Sequence, residues 1–164
     1  MTIRFGILTL SDRSSRGERA DASGPALADL IRAQNWLVAE QQILPDEESA
    51  IRAALIDWAD SGRFDIILTT GGTGFAPRDV TPESTRAVIE RDAPGLAEIM
   101  RSESMKKTPH AMLSRAVAGI RKRTLIVNLP GSPKGARENL QTILPLLSHA
   151  VQLLSDDPAS ESSH

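Results

Sequence analysis

The 164-residue chain has no cysteine and no tyrosine. Without thiols it has no disulfides, no thiolate zinc site and no cysteine nucleophile. A reducing cytoplasm is the compartment this composition fits. Aromatic residues make up 3% of the chain, too few for the stacking platform on which single-stranded nucleic acid is held. Neither sign of charge dominates: the formal net charge is −2, whereas nucleic-acid-binding domains are usually basic. No nucleic-acid partner is expected, although a local basic pocket for a small anion is compatible with this balance. No stretch approaches the ~20 apolar residues a membrane span needs. No apolar run follows a basic segment at the amino terminus, so neither a span nor a secretory leader is expected. The three histidines, His110, His149 and His164, lack metal-ligand spacing, and no Ser-His-Asp arrangement supports a hydrolase triad.

What is present reads as one domain of alternating strands and helices, residues 1–155, with 156–164 (DDPASESSH) an unstructured tail. Arg4–Leu10 is a short apolar run without alternation, the pattern of a strand buried on both faces. After a polar loop, Pro25 fits a first helical position, and Ala26, Leu27, Leu30 and Ile31 carry a helix to about Asn35. Residues 37–44 are a weaker strand. Ile51, Ala54, Leu55 and Trp58 mark a helix face, with Gly62 as its stop. Residues 65–70 form a third strand. Further helices start at Thr81-Pro82, with Val88 and Ile89 buried, and at Pro94-Gly95. Residues 105–113 read as loop, and 114–120 and 124–129 as strands separated by Arg121-Lys122-Arg123. A final Leu-rich helix should be kinked or split by Pro145. This alternation implies a mostly parallel sheet, in which ligands bind beyond the carboxyl ends of the strands.

Those ends carry the informative residues. Residues 68–82 read LTTGGTGFAPRDVTP. Gly71, Gly72, Thr73 and Gly74 follow Thr70, and three glycines in four residues leave backbone N–H groups open to an anion such as phosphate. The plain alternative is a tight strand-to-helix turn. Neither a Walker A ending nor G-x-G-x-x-G is present. Arg78 and Asp79 follow, offering charge for a phosphate and a ligand for a divalent cation; Asp79 also suits a turn near a helix start. Asp46 suits a helix N-cap and also a rim ligand, and the two roles need not exclude each other. Ser11-Asp12 ends the first strand, and Asp12 reads equally as a rim ligand or an Asx-turn residue. Arg13, Arg16 and Arg19 are further cations, ranked below Arg78. In Pro130-Gly131-Ser132-Pro133-Lys134, Ser132 fits an N-cap whose neighbouring amides also suit a phosphate, with Lys134 as a phosphate partner.

Four segments in order, LTLSDR, LPDE, TTGGTG-x-x-x-RDVTPE and NLPGSPKG, resemble the MogA/MoaB-type molybdopterin adenylyltransferase family of molybdenum cofactor biosynthesis, which includes the gephyrin G domain. The likeness runs from about Ile3 to Leu154. It implies a three-layer α/β/α fold with a mostly parallel central sheet. It also implies transfer of AMP from MgATP to the terminal phosphate of molybdopterin, with release of pyrophosphate. On this resemblance Asp46 and Asp79 are the functional acids, placed near Mg²⁺ and the triphosphate, while Gly71–Gly74 and Leu129–Pro133 are the family's loops. A homo-oligomer, trimer or hexamer, and hand-over to a molybdenum-inserting protein are implied as well. The alternative within the family is a MoaB-type protein that binds molybdopterin without chemistry.

Overall fold

In chain order the elements are β1 (Arg4–Leu10), α1 (Asp12–Ser15), α2 (Ser23–Ala33), β2 (Leu37–Leu44), α3 (Glu48–Asp60), β3 (Ile66–Thr70) and α4 (Thr81–Val88). They continue with β4 (Arg91–Asp92), α5 (Pro94–Met105), a 3₁₀ turn (Pro109–Leu113), β5 (Ala118–Arg121), β6 (Thr124–Leu129) and α6 (Pro133–Leu154). The computed structural model describes residues 1–156, so the expected tail lies outside the described residues except for Asp156.

Successive residues of the central strands enter opposite cores, which explains their unbroken apolar runs. Phe5 and Ile7 of β1, Ile66 and Leu68 of β3, and Leu125 and Val127 of β6 pack with α2, α5 and α6. Leu8, Leu10, Ile67 and Ile126 pack on the other side with α3 and α4, through Ile51, Leu55, Trp58 and Val88. A strand buried on both faces has no polar face to alternate with. The result is the three-layer α/β/α arrangement expected from the sequence. β2 gave a weaker signal because it is an edge strand with five of its eight residues open to water.

The sheet order is β2-β1-β3-β6-β5-β4. The first four strands are parallel, and β5 and β4 add antiparallel pairs at the far edge. From β1 the chain goes outward to β2 and then crosses to β3 on the opposite side. The strand order therefore reverses between the carboxyl ends of β1 and β3, the point where open α/β sheets leave a crevice.

Several elements differ from the sequence reading for identifiable reasons. The loop after β1 contains α1, capped by the Ser11 hydroxyl, which accepts from Ser14 N at 3.1 Å. The next helix begins at Ser23, two residues before Pro25, because the Asp21 carboxylate accepts from Gly24 N at 3.1 Å. The two-residue β4 is too short to leave a pattern. The 114–120 strand shrinks to β5, because Arg115 N is used on Thr73 O at 2.8 Å and Val117 N on the Asn128 side chain at 3.0 Å. Ile89 is half-buried rather than buried. Pro145 does not split the last helix: α6 is one 22-residue helix through it. Pro145 and Gln141 are both exposed, so the carbonyl deprived of an amide partner lies on the wet face.

One buried polar knot stitches sheet to helix. Asn128 Nδ2 donates to the hydroxyls of Thr69 and Thr85 at 2.9 Å each, and its Oδ1 accepts from Val117 N. All three side chains are fully buried. Asn128→Leu keeps the volume but strands an amide and two hydroxyls. It is expected to cost on the order of 3 kcal/mol, measured by chemical denaturation.

Candidate functional site

The rim is assembled by backbone contacts before any side chain is considered. Gly71 has φ +105°, and a Cβ there would strike the carbonyl oxygen of Leu10 at the end of β1. Only glycine permits β1 and β3 to end this close together. Gly72, at φ +68°, lies under α4: a Cβ would meet Thr81 Oγ1 and sit 3.1 Å from Asp46 Oδ1. Thr81 in turn clamps the loop, its hydroxyl donating to Gly71 O at 2.9 Å and its amide to Gly72 O at 3.2 Å. Thr70 donates to Pro130 O at 2.7 Å and thereby ties β3 to the loop after β6. Among the described residues, the amides of Gly72, Thr73, Gly74 and Phe75 donate to no protein acceptor.

The loops after β1 and β2 are joined by a reciprocal pair. Asp12 N donates to Asp46 Oδ2 at 3.0 Å, and Asp46 N donates to Asp12 Oδ1 at 2.9 Å. Asp46 is therefore not the helix cap; Glu47 occupies that position and makes no side-chain cap bond. Asp46 Oδ1 is buried and, among the described residues, is the one buried side-chain polar atom with no hydrogen-bond partner. Burial pushes the Asp46 carboxyl above the ordinary carboxylate range. The Asp12 amide opposes that shift, and the negative charges of Asp12 and Asp79 add to it. The Asp79 carboxylate is held by Ala76 N at 3.0 Å. Asp12 goes the other way: the Arg78 guanidinium holds its carboxyl below the usual range.

A polar cavity of about 540 Å³ lies at the reversal of strand order. It gathers Ser11, Asp46, Thr70, Gly71, Gly72, Asp79, Gly131, Ser132 and Pro133 from the residues singled out by sequence. A second, more apolar cavity of about 330 Å³ opens on the other side of the same loop and takes in Thr73, Gly74, Pro130 and Ser132. Its floor is formed by Ala97, Met100 and Ala116, and its edge by Ser104, Thr108, Glu138 and Asn139. Ser132 borders both cavities and caps α6 by accepting from Gly135 N at 3.0 Å.

Asp12, Arg78 and Lys134 line neither cavity. Arg78 binds Asp12 through Nε at 3.0 Å and Nη2 at 2.9 Å, and also binds Glu47 at 3.0 Å. Its charge is spent on carboxylates. The cation that borders the polar cavity is Arg19, which was ranked below Arg78 on sequence and which donates to Ser11 Oγ at 3.3 Å. Thr9, Asp21 and Ser23 also border it and were not singled out. The signal available was Asp-x-Ser at the start of a helix. Among the described residues no group of three or more His, Cys, Asp or Glu gathers in metal-holding fashion.

Fold and rim together define a doubly wound α/β protein with two adjoining cavities at its strand-order reversal, separated by a glycine loop. The family described as a probable molybdopterin binding domain matches residues 6–149. The chain belongs to that family. It is 43% identical to a molybdopterin adenylyltransferase of Helicobacter pylori over 155 residues, which is 93% of this chain and 88% of that one. It is 48% identical to the molybdenum cofactor synthesis protein cinnamon of Drosophila melanogaster over 159 residues, 95% of this chain. The chain spans 26% of the cinnamon protein's length. The crystal structure of the molybdopterin biosynthesis enzyme MoaB of Thermus thermophilus superimposes with a TM-score of 0.90 at 52% identity, covering 96% of this chain and 99% of that one.

A carboxyl that folding makes harder to ionise is a stability cost once it is charged. The folded protein keeps the Asp46 proton to higher pH than the unfolded chain does. Stability therefore falls as pH rises through that interval, and the cost is fully present above it. In metal-free buffer, Asp46→Asn is expected to raise the thermal midpoint more at neutral than at acidic pH, because the native carboxyl takes up its proton as pH falls through that interval. Differential scanning calorimetry at the two pH values checks the sign.

Proposed function

We propose that this protein is a molybdopterin adenylyltransferase, transferring AMP from ATP to the terminal phosphate of molybdopterin with release of pyrophosphate. The observation that carries the reading is the pair of cavities meeting at Gly71–Gly74 and Ser132, with the unmatched Asp46 oxygen beside Gly72. A group transfer between two large substrates needs two seats and a shared wall where the reacting phosphates meet. The names of the bacterial relatives support the same chemistry.

The donor set suits Mg²⁺, which takes hard oxygen ligands and keeps several waters, so one or two carboxylates suffice. Asp46 and Asp79 would hold it, and the cation would supply charge neutralisation on the triphosphate. The chain's own residues do the rest. The free amides of Gly72–Phe75 and the Ser132 loop offer donors to phosphate oxygens, and Arg19 adds a positive charge. An oxygen of the molybdopterin phosphate forms the new bond to the α-phosphorus of ATP while the bond from that phosphorus to the bridging oxygen breaks, and pyrophosphate leaves. No covalent enzyme intermediate is needed, so alignment and charge are what the site contributes. The polar cavity, bearing both acids and Arg19, suits the nucleotide. The apolar one, floored by Met100 and edged by Asn139 and Glu138, suits a flat heterocycle.

With the reading come a cytoplasmic location, a homo-oligomer (trimer or hexamer) and hand-over of the product to a molybdenum-inserting protein. The chain has no cysteine, which fits a reducing compartment. Among the described residues no helix is long and apolar enough to cross a membrane.

Purified protein given MgATP and molybdopterin should release pyrophosphate, and absence of turnover would refute the enzyme reading. Asp46→Ala and Asp79→Ala should each lower turnover by about 100-fold or more while molybdopterin binding, followed by calorimetry, survives. A non-catalytic binder would instead show no turnover to lose. Ser104→Phe, directed into the apolar cavity, should weaken molybdopterin binding by about tenfold and leave ATP binding unchanged. The same titrations decide it, and a loss confined to ATP would reverse the assignment of the two cavities.

A further inference from the structure

Arg115 belongs to none of the motifs that marked the rim, and it lines neither cavity. It nevertheless grips the glycine-to-aspartate loop at both ends. Its backbone amide donates to Thr73 O at 2.8 Å. Its Nε donates to Gly74 O at 2.8 Å, and its Nη2 to Asp79 O at 2.7 Å. Its Nη1 completes the set on the Glu83 carboxylate of α4, at 2.7 and 3.0 Å. One side chain thus binds the residues just before and just after the exposed stretch Phe75–Arg78, and anchors them to a helix.

The rest of that stretch is lightly held. Ala76 and Asp79 bond to each other, through Ala76 N to Asp79 Oδ2 and Asp79 N to Ala76 O. Arg78 reaches across to Asp12 and Glu47 with a mostly exposed side chain. Drawing the carbonyls of Thr73 and Gly74 toward Arg115 turns the trans-related amides of Gly74 and Phe75 away from it. Fixing the Asp79 carbonyl sets the backbone from which the Asp79 carboxylate is aimed. A guanidinium suits this task because its planar fork presents several donors in fixed directions; a lysine ammonium carries the charge but not the fork.

We propose that Arg115 is the positioning residue of this site: its grip on Thr73, Gly74, Asp79 and Glu83 sets the loop amides and the Asp79 carboxylate for reaction without touching substrate. The catalytic half of this inference rests on the adenylyltransferase reading; the structural half does not.

The test uses the full-length chain carrying Arg115→Lys. Phe75 is 68% exposed and sits in the middle of the gripped loop, so chymotryptic cleavage after Phe75, followed by mass spectrometry, reports loop opening. Cleavage there is expected to speed up about tenfold, with other sites cut at the wild-type rate. Turnover should fall about 100-fold with KM for MgATP within about threefold of wild type, the mark of misplaced rather than missing groups. Wild-type cleavage at Phe75, or a rise in KM with unchanged kcat, would overturn the proposal. If Arg115→Lys fails to fold by circular dichroism, Glu83→Gln takes its place. That variant keeps the carbonyl bonds but weakens the anchor, and about threefold faster cleavage at Phe75 is expected, with an unchanged rate counting against the grip. A wild-type protein that never turns over would sink the adenylyltransferase reading, while the cleavage measurement would still decide whether Arg115 holds the loop.

Discussion

Everything at the rim depends on the chain passing three strand ends through one small space. Gly71 lies against the Leu10 carbonyl, and Asp12 and Asp46 exchange amide-to-carboxylate bonds, so the loops after β1, β2 and β3 cannot move independently. Arg78 extends the lock by neutralising Asp12 from the far side of the glycine loop. The strain of this convergence is electrostatic. Three acids, Asp12, Asp46 and Asp79, end up near one another, and one oxygen of Asp46 is left buried and unmatched. An apolar replacement would relieve that cost. On the proposed reading, the role of that oxygen would be to hold a cation.

The rim is also divided by polarity. The same loop that presents free amides separates a cavity lined by carboxylates and hydroxyls from one floored by alanine and methionine. The division follows from the sheet. The polar cavity lies over the β1–β3 reversal, where α1 and α2 begin, and the apolar one lies between α5 and α6 beside the outgoing strand β6. Ser132, at the start of α6, belongs to both because α6 begins where the two meet. On the proposed reading this geometry would serve a protein that brings together a triphosphate and a heterocyclic phosphate ester, because each substrate would have its own dielectric and the two would reach a common wall.

Cations illustrate why proximity in sequence misleads. Arg78, one residue from Asp79, looked like the phosphate ligand. In the fold its exposed side chain finds two carboxylates, Asp12 and Glu47, from distant loops and is consumed by them. Arg19, in a loop without any motif, borders the polar cavity instead. Arg115, 36 residues beyond Asp79, supplies the loop with its scaffolding. Such roles depend on which carbonyls and carboxylates a guanidinium can reach, and reach is a property of the folded chain.

The layers and the parallel order were legible in the chain because they follow from local rules: apolar runs without alternation in β1, β3 and β6, helical spacing of Leu27 and Ile31 or of Leu140 and Leu147, and glycines where the backbone must turn sharply. Some loop residues at the rim, Gly71 and Ser132 among them, were legible for the same reason, since they follow strand ends; Arg19 and Asp21, which also border the polar cavity, were not. Tertiary structure alone decided which strands end side by side, that Pro145 rides through α6 on its wet face, and that Asp46 holds a bare oxygen rather than a helix cap. Those outcomes are set by contacts between residues far apart in the chain, Asp12 with Asp46 and Thr73 with Arg115 among them, and no local pattern encodes the distance between them.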